Sequence, residues 1–138
     1  MVNSLISCIM ATRNRPRLFA QALRCFNRQR YPERELIVVD DGEPAVAPMC
    51  QGFERVHYIH LARPASTGAK LNLGIAEARG RIIQKLDDDD YCGPDFLQSA
   101  VSGLSENDPE TLVAWDCFLI WITNCVRRPI VISQIGAS

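Results

Sequence analysis

The chain has 138 residues, with 15 Lys+Arg against 16 Asp+Glu, a formal charge of −1, and 47% hydrophobic residues. That length holds one domain at ~150 residues each, and the composition is globular rather than disordered. The near-neutral balance excludes a nucleic-acid binder that works through a broadly basic face.

The six cysteines, at 8, 25, 50, 92, 117 and 125, show no C-x-x-C spacing, so neither a zinc knuckle nor a thioredoxin-type site is indicated. The start, Met1-Val2-Asn3-Ser4, lacks a basic leader region, so free thiols in a reducing cytoplasm are expected. The most apolar stretch, Leu112–Ile122, contains Asp116 and falls short of the ~20 residues a membrane span needs. No transmembrane segment is expected, and contact with a membrane surface is left open.

Leu5–Met10 reads as a short buried strand. Asn14 is a suitable N-cap and Pro16 suits a first turn. Phe19, Ala22, Leu23 and Phe26 then recur at helical spacing, which predicts an amphipathic helix over 15–30. Leu36–Val39 reads as a strand buried on both faces, as in parallel sheets, and Asp40-Asp41-Gly42 ends it with turn chemistry. Pro44 and Pro48 keep the next stretch loop-like, and His57–Leu61 is the third strand. His57 and His60, three apart on that strand, point to opposite faces and make no metal pair.

Ser66 or Thr67 caps a second helix with Leu71, Ile75 and Ala78 as its stripe and Gly80 as its C′ residue. Arg81–Leu86 is the fourth strand. Pro94 opens a third helix with Phe96, Leu97, Ala100, Val101 and Leu104 as its stripe. The order β-α-β-β-α-β-α predicts an α/β three-layer, mostly parallel sheet. Beyond Glu110, Thr111–Ile122 reads as a buried strand or a strand plus turn, and Ile130–Ile135 as one more strand.

In an open α/β sheet, ligands bind outside the carboxyl ends of the strands, and the polar clusters follow that rule. Thr12-Arg13-Asn14 follows strand one, Asp40-Asp41-Gly42 strand two, Arg63 and Lys70 strand three, and Asp87–Asp90 strand four. Residues 1–36 hold seven arginines, whereas residues 86–116 hold nine acidic groups and no basic one. This asymmetry suits a site for a cation and an anion, and solvated surfaces of opposite sign account for it equally.

Four adjacent carboxylates repel, by ~4 kcal/mol per pair at 4 Å and an effective dielectric of 20. They either fan into water ahead of the Pro94 helix or gather a divalent cation. Alternation along a strand places Asp87 and Asp89 on one face, a minimal oxygen-ligand pair for Mg²⁺ or Mn²⁺. Asp41 at a strand end is either part of a turn or an acceptor for a base N–H or ribose hydroxyls. Lys70 and Arg63 suit a diphosphate as point charge and fork, and a plain surface role for either fits the local sequence equally. Thr67-Gly68-Ala69-Lys70 is not a P-loop.

In order, Ile6–Arg15, Glu35–Gly42, Gly68–Ile75 with Ala78-Arg79-Gly80, and Leu86–Asp90 with Pro94 resemble the N-terminal half of family 2 glycosyltransferases with the GT-A fold. The resemblance covers about residues 4–97. It implies an incomplete GT-A fold, with residues 1–110 as a nucleotide-sugar-binding half-domain; residues 111–138, an apolar segment placed in the same domain, do not share the resemblance and have no assignment. It also implies a nucleotide-sugar donor of UDP type and an inverting transfer of sugar to a hydroxyl acceptor whose identity the sequence does not give.

On that basis Asp41 faces the uracil, and Ala11, Thr12 and Arg13 lie near base and ribose. Arg63 or Lys70 lies near the phosphates. Asp87, Asp89 and Asp90 form the metal motif, with Asp89 as the direct contact to the metal–diphosphate unit. Two departures stand out. Ala11-Thr12-Arg13-Asn14 replaces the family's common Pro-Thr-Tyr-Asn, and no general base is identifiable, since Ala114-Trp115-Asp116-Cys117 does not match the expected motif. A non-catalytic nucleotide-sugar-binding remnant is the alternative. A nucleotidyltransferase is disfavoured because Thr12-Arg13-Asn14-Arg15 contains no glycine.

Overall fold

The computed structural model describes residues 4–104, 113, 117–120 and 130–133. Four strands, β1 (Ile6–Thr12), β2 (Arg34–Asp40), β3 (Val56–His60) and β4 (Ile82–Lys85), form one sheet of order β3-β2-β1-β4. All three pairings are parallel, with Cys8 opposite Leu36 and Gln84, and Val38 opposite Tyr58. The expected parallel α/β sheet is the fold observed.

One face of the sheet carries the larger core. Ile6, Cys8 and Met10 of β1 and Leu36 and Val38 of β2 pack against Phe19, Ala22, Leu23 and Phe26 of α1 (Pro16–Asn27). The one-turn helix α2 (Ala47–Cys50) and α4 (Phe96–Ser102) share that face through Cys50, Leu97 and Val101. The stretch 44–48 was expected as loop throughout, but Pro48 falls in the first turn of α2, where its missing N–H costs nothing. On the opposite face, Ile9, Ile37 and Val39 meet Leu71 and Leu73 of α3 (Thr67–Ala76). The alternation of Cys8, Ile9 and Met10 between two apolar layers explains why β1 lacks any polar face.

α1 starts one residue later than expected and is capped differently. Arg15 occupies the N-cap with no side-chain bond to the helix. Asn14 takes a left-handed φ of 54° and its Oδ1 accepts from the Glu43 N–H at 2.7 Å, tying the β1 loop to the β2 loop. Those loops pass so closely that a Cβ on Gly42 would lie 2.6 Å from the Asn14 nitrogen.

α3 departs more from its expected stripe. Ser66 is the N-cap, accepting from the Ala69 N–H, but Ile75 is 46% exposed and the buried positions are Lys70 and Gly74. Gly74 lets the helix lie flat on Ile9, whose side chain fills the space a Cβ would need. α3 ends at Ala76 with Glu77 as its C-cap. Gly80 therefore serves close passage against Leu5 and Ser7 rather than helix termination.

A second unit, Gly103–Ser138, contains β5 (Cys117–Ile120) and β6 (Ile130–Ser133), paired antiparallel. The rest of the expected strands 111–122 and 130–135, with Trp115, Asp116 and Trp121, and also Cys125, lie outside the described residues, apart from Val113. Cys8, Cys25, Cys50 and Cys92 are free thiols. No helix among the described residues is long and apolar enough to cross a membrane.

Candidate functional site

Because the four strands are parallel, Thr12, Asp40, His60 and Lys85 finish at one edge of the sheet, where an open α/β sheet offers its crevice. A continuous run of hydrogen bonds crosses that edge. Thr12 Oγ1 donates to Asp88 Oδ2 at 2.8 Å. Lys70 Nζ donates to the Thr12 carbonyl at 3.1 Å and to Asp41 Oδ1 at 2.7 Å. Asp41 Oδ2 in turn accepts from the Ala65 N–H at 2.8 Å. Segments following all four strands are thereby joined through side chains.

Asp41 and Lys70 form a buried ion pair, their side chains 0% and 6% exposed. Burial alone would raise the Asp41 carboxyl, but Lys70, the Ala65 N–H and the nearby charge of Arg13 outweigh it and hold it below the ordinary carboxylate range. Lys70 reaches this position because Gly74 brings α3 close to β1. Its ammonium is committed to protein partners, unlike a cation free to meet a phosphate.

Asp40 is a turn builder. It accepts from the N–H groups of Gly42 and Val46 and from the Tyr58 hydroxyl. Burial first, then the Asp40 carboxylate, pushes the Tyr58 phenol up. The His60 ring stacks on Tyr58.

The aspartate run does not keep strand alternation, because β4 stops at Lys85 and a turn closes from the Asp90 N–H to the Asp87 carbonyl. Asp87 pairs with Lys85. Asp88 is the buried member, 5% exposed, and Arg15 Nη1 reaches its Oδ1 at 3.2 Å and Asp89 Oδ2 at 3.3 Å. Asp90 has no ion pair among the described residues. Its carboxyl is raised by desolvation and by the charges of Asp87 and Asp89.

No three His, Cys, Asp or Glu side chains among the described residues gather closely enough to hold an ion by themselves. The donors are nonetheless of the right kind for Mg²⁺ or Mn²⁺: half-exposed carboxylates of Asp87 and Asp89 beside an unneutralised Asp90. Such cations routinely complete their shell with phosphate and water oxygens.

Ala11 is half-buried, whereas Arg13 and Arg63 are exposed and make no hydrogen bond or ion pair with a described residue. Two residues of this edge escape a reading by motif. Asp88 looks interchangeable with its neighbours in sequence, and Arg15 looks like one of seven surface arginines. Only the turn after Lys85 singles them out.

The sequence profile of the family described as "Glycosyl transferase family 2" matches residues 7–116. The chain belongs to glycosyl transferase family 2. Among the relatives of this family 2 domain, WcaA of Escherichia coli K12, which carries the name of a colanic acid biosynthesis glycosyl transferase, is 35% identical over 100 residues, covering 69% of this chain and 36% of its own. The mannosyltransferase PcManGT from Pyrobaculum calidifontis, solved with GDP-Man and Mn²⁺, superposes with a TM-score of 0.66 at 22% identity, over 73% of this chain and 32% of that one. TarS residues 1–349 from S. aureus, solved with UDP-GlcNAc, gives 0.62 at 23% identity, over 71% and 30%. These likenesses establish the GT-A fold for the family 2 domain. The chain spans about a third of the length of these relatives.

Proposed function

We propose that this domain binds a nucleoside-diphosphate sugar, with uridine as the base, together with Mg²⁺ or Mn²⁺ at the carboxyl edge of the sheet. Completed by an acceptor-binding half that supplies a general base, it would transfer the sugar to a hydroxyl acceptor by inversion. The observation that carries this reading is the hydrogen-bonded run Asp88–Thr12–Lys70–Asp41–Ala65, beside the half-exposed aspartates. The relatives solved with UDP-GlcNAc and with GDP-Man and Mn²⁺ support it.

In this reading Asp87, Asp89 and Asp90 hold the cation, Asp89 foremost. The cation, when bound, stabilises negative charge on the departing nucleoside diphosphate. Ala11, Thr12 and Arg13 line the nucleoside, and exposed Arg63 meets the phosphates. Lys70 takes a positioning role: it fixes Asp41 and the β1 carboxyl end. A base N–H that reaches Asp41 must displace the Ala65 N–H, because the carboxylate is enclosed.

Calorimetric titration of the chain with UDP tests the reading. Binding is expected only with Mn²⁺ present, and Asp89→Ala should weaken it at least about tenfold, the loss of one charged contact. UDP that binds neither protein, or both equally without metal, would sink the proposal. Sugar transfer from a UDP-sugar by the 138-residue chain would show that no further half is needed.

A further inference from the structure

Arg15 sits where the aspartates and the start of α1 meet, and its side chain is held loosely. A single nitrogen, Nη1, is shared between Asp88 at 3.2 Å and Asp89 at 3.3 Å. Both distances exceed the ~2.7–2.9 Å of a strong charge-assisted bond. Nε and Nη2 have no partner among the described residues, and the side chain is 52% exposed.

Arg79 shows what a committed arginine looks like in the same molecule. Its Nε donates to Glu35 Oε2 at 2.8 Å, with Nη2 at 2.6 Å from the same oxygen. Arg15 leaves most of its planar fork open, the geometry that recognises phosphate bidentately.

Its partners also differ in their need for it. Asp88 keeps the Thr12 hydroxyl at 2.8 Å if Arg15 departs, and Asp89 is half-exposed to water. The backbone of Arg15 is fixed, its carbonyl accepting from the Phe19 N–H in the first turn of α1. The side chain can therefore swing without disturbing the fold. Among the described residues, Arg15 and Lys85 are the cations paired with Asp87–Asp90. A divalent ion arriving at Asp89 would displace the first, while the diphosphate arriving with it brings negative charge that needs a partner.

We propose that Arg15 is an exchangeable counter-ion: it neutralises Asp88 and Asp89 in the empty site and passes to the donor diphosphate when metal and donor bind. The inference rests on the donor-site reading above and adds a phosphate-binding residue to it. Its signature is two effects of opposite sign in one variant.

In calorimetry of the full chain, Arg15→Gln should bind Mn²⁺ alone about threefold to tenfold more tightly, because the competing cation is gone. It should bind UDP in saturating Mn²⁺ about tenfold more weakly, the size of a charged hydrogen bond, and inorganic pyrophosphate should weaken in parallel. Arg15→Lys, which keeps the charge without the fork, should bind Mn²⁺ like the wild type and UDP with intermediate affinity. Should Arg15→Gln fail to fold, as read from its melting curve, Arg15→Lys carries the test. Both affinities shifting the same way, neither shifting, or a loss for UDP without one for pyrophosphate overturns the exchange. If the wild type binds no UDP with Mn²⁺, the donor-site reading falls as well; wild-type binding with parallel shifts in the variants removes the Arg15 inference alone.

Discussion

The two ends of the parallel sheet both bury a carboxylate, and they treat it in opposite ways. At the amino end, Glu35 is 1% exposed. It accepts from the Ser7 hydroxyl at 2.6 Å and from the Arg79 N–H and Nε at 2.9 and 2.8 Å, with His57 Nε2 3.4 Å away. Every partner is specific, and Ser7 also accepts from the Gly80 N–H, closing the corner between β1, β2 and the approach to β4.

At the carboxyl end, Asp41 and Asp88 are comparably satisfied, but Asp87, Asp89 and Asp90 are left with long, exposed or absent counter-ions. A carboxylate with fixed donors is a fastener. A group of carboxylates with exchangeable donors retains negative charge available to a ligand. The contrast separates what holds the sheet together from what the sheet holds out to solvent.

The sharpest break in that comparison is Lys70→Met, which acts on the one buried ion pair at the working edge among the described residues. Removing the ammonium leaves Asp41 enclosed with only the Ala65 N–H, and stripping one partner from a buried pair costs about 3–5 kcal/mol. Urea denaturation should show that loss, and Lys70→Met combined with Asp41→Asn should recover more than half of it. A single variant as stable as the wild type would mean that Asp41 is not held as a buried ion.

Glu35→Gln tests the other end. The amide keeps an acceptor but turns a donor toward Arg79, so a loss of about 2 kcal/mol is expected, with UDP affinity in Mn²⁺ unchanged. The pH dependence should change with it. Burial alone would raise the Glu35 carboxyl, but Ser7 and Arg79 hold it below its ordinary value. A depressed folded-state pKa means stability present above the unfolded value, near 4.3, and lost as pH falls through the lower folded value. Wild-type stability should therefore drop as pH is lowered from about 5 to below 4, and the Gln variant should drop less steeply. An identical slope would show that Glu35 carries no such linkage, and a changed UDP affinity would show that the two ends are not separate.

Most of the sheet was legible from pattern. Continuous apolar runs marked β1 as a buried strand and β2 as one buried on both faces, and the spacing of Phe19, Ala22, Leu23 and Phe26 marked α1. What was not legible depends on close approach. Nothing local shows that Gly74 lets α3 lie on Ile9, so Lys70, read from sequence as a phosphate contact or a surface residue, appears among the buried positions while Ile75, expected on the apolar stripe, is exposed. The site was legible as clusters at strand ends, but their division of labour was not. Alternation grouped Asp87 with Asp89, whereas the turn after Lys85 turns Asp88 inward and sets Asp89 beside the same arginine. The Ser7–Glu35–Arg79 fastener left no signal, because its members lie 28 and 44 residues apart and each looks ordinary alone.

The smallest effect falls on Asp90, where the comparison predicts a reversed sign. Its carboxyl is raised by desolvation and by Asp87 and Asp89, so its ionised form works against the fold at neutral pH. A raised folded-state pKa gives a carboxylate that destabilises above that value and relaxes as pH falls through it. Asp90→Asn should therefore stabilise the chain at pH 7, by less than about 1 kcal/mol because the residue is exposed and screened. That gain should shrink toward pH 4 and also shrink when Mn²⁺ is added, since the cation relieves the same repulsion in the wild type. A destabilised Asp90→Asn protein, or a gain indifferent to Mn²⁺, would mean that the surplus charge at this edge is already neutralised by water, and the distinction between the two ends would then rest on burial alone.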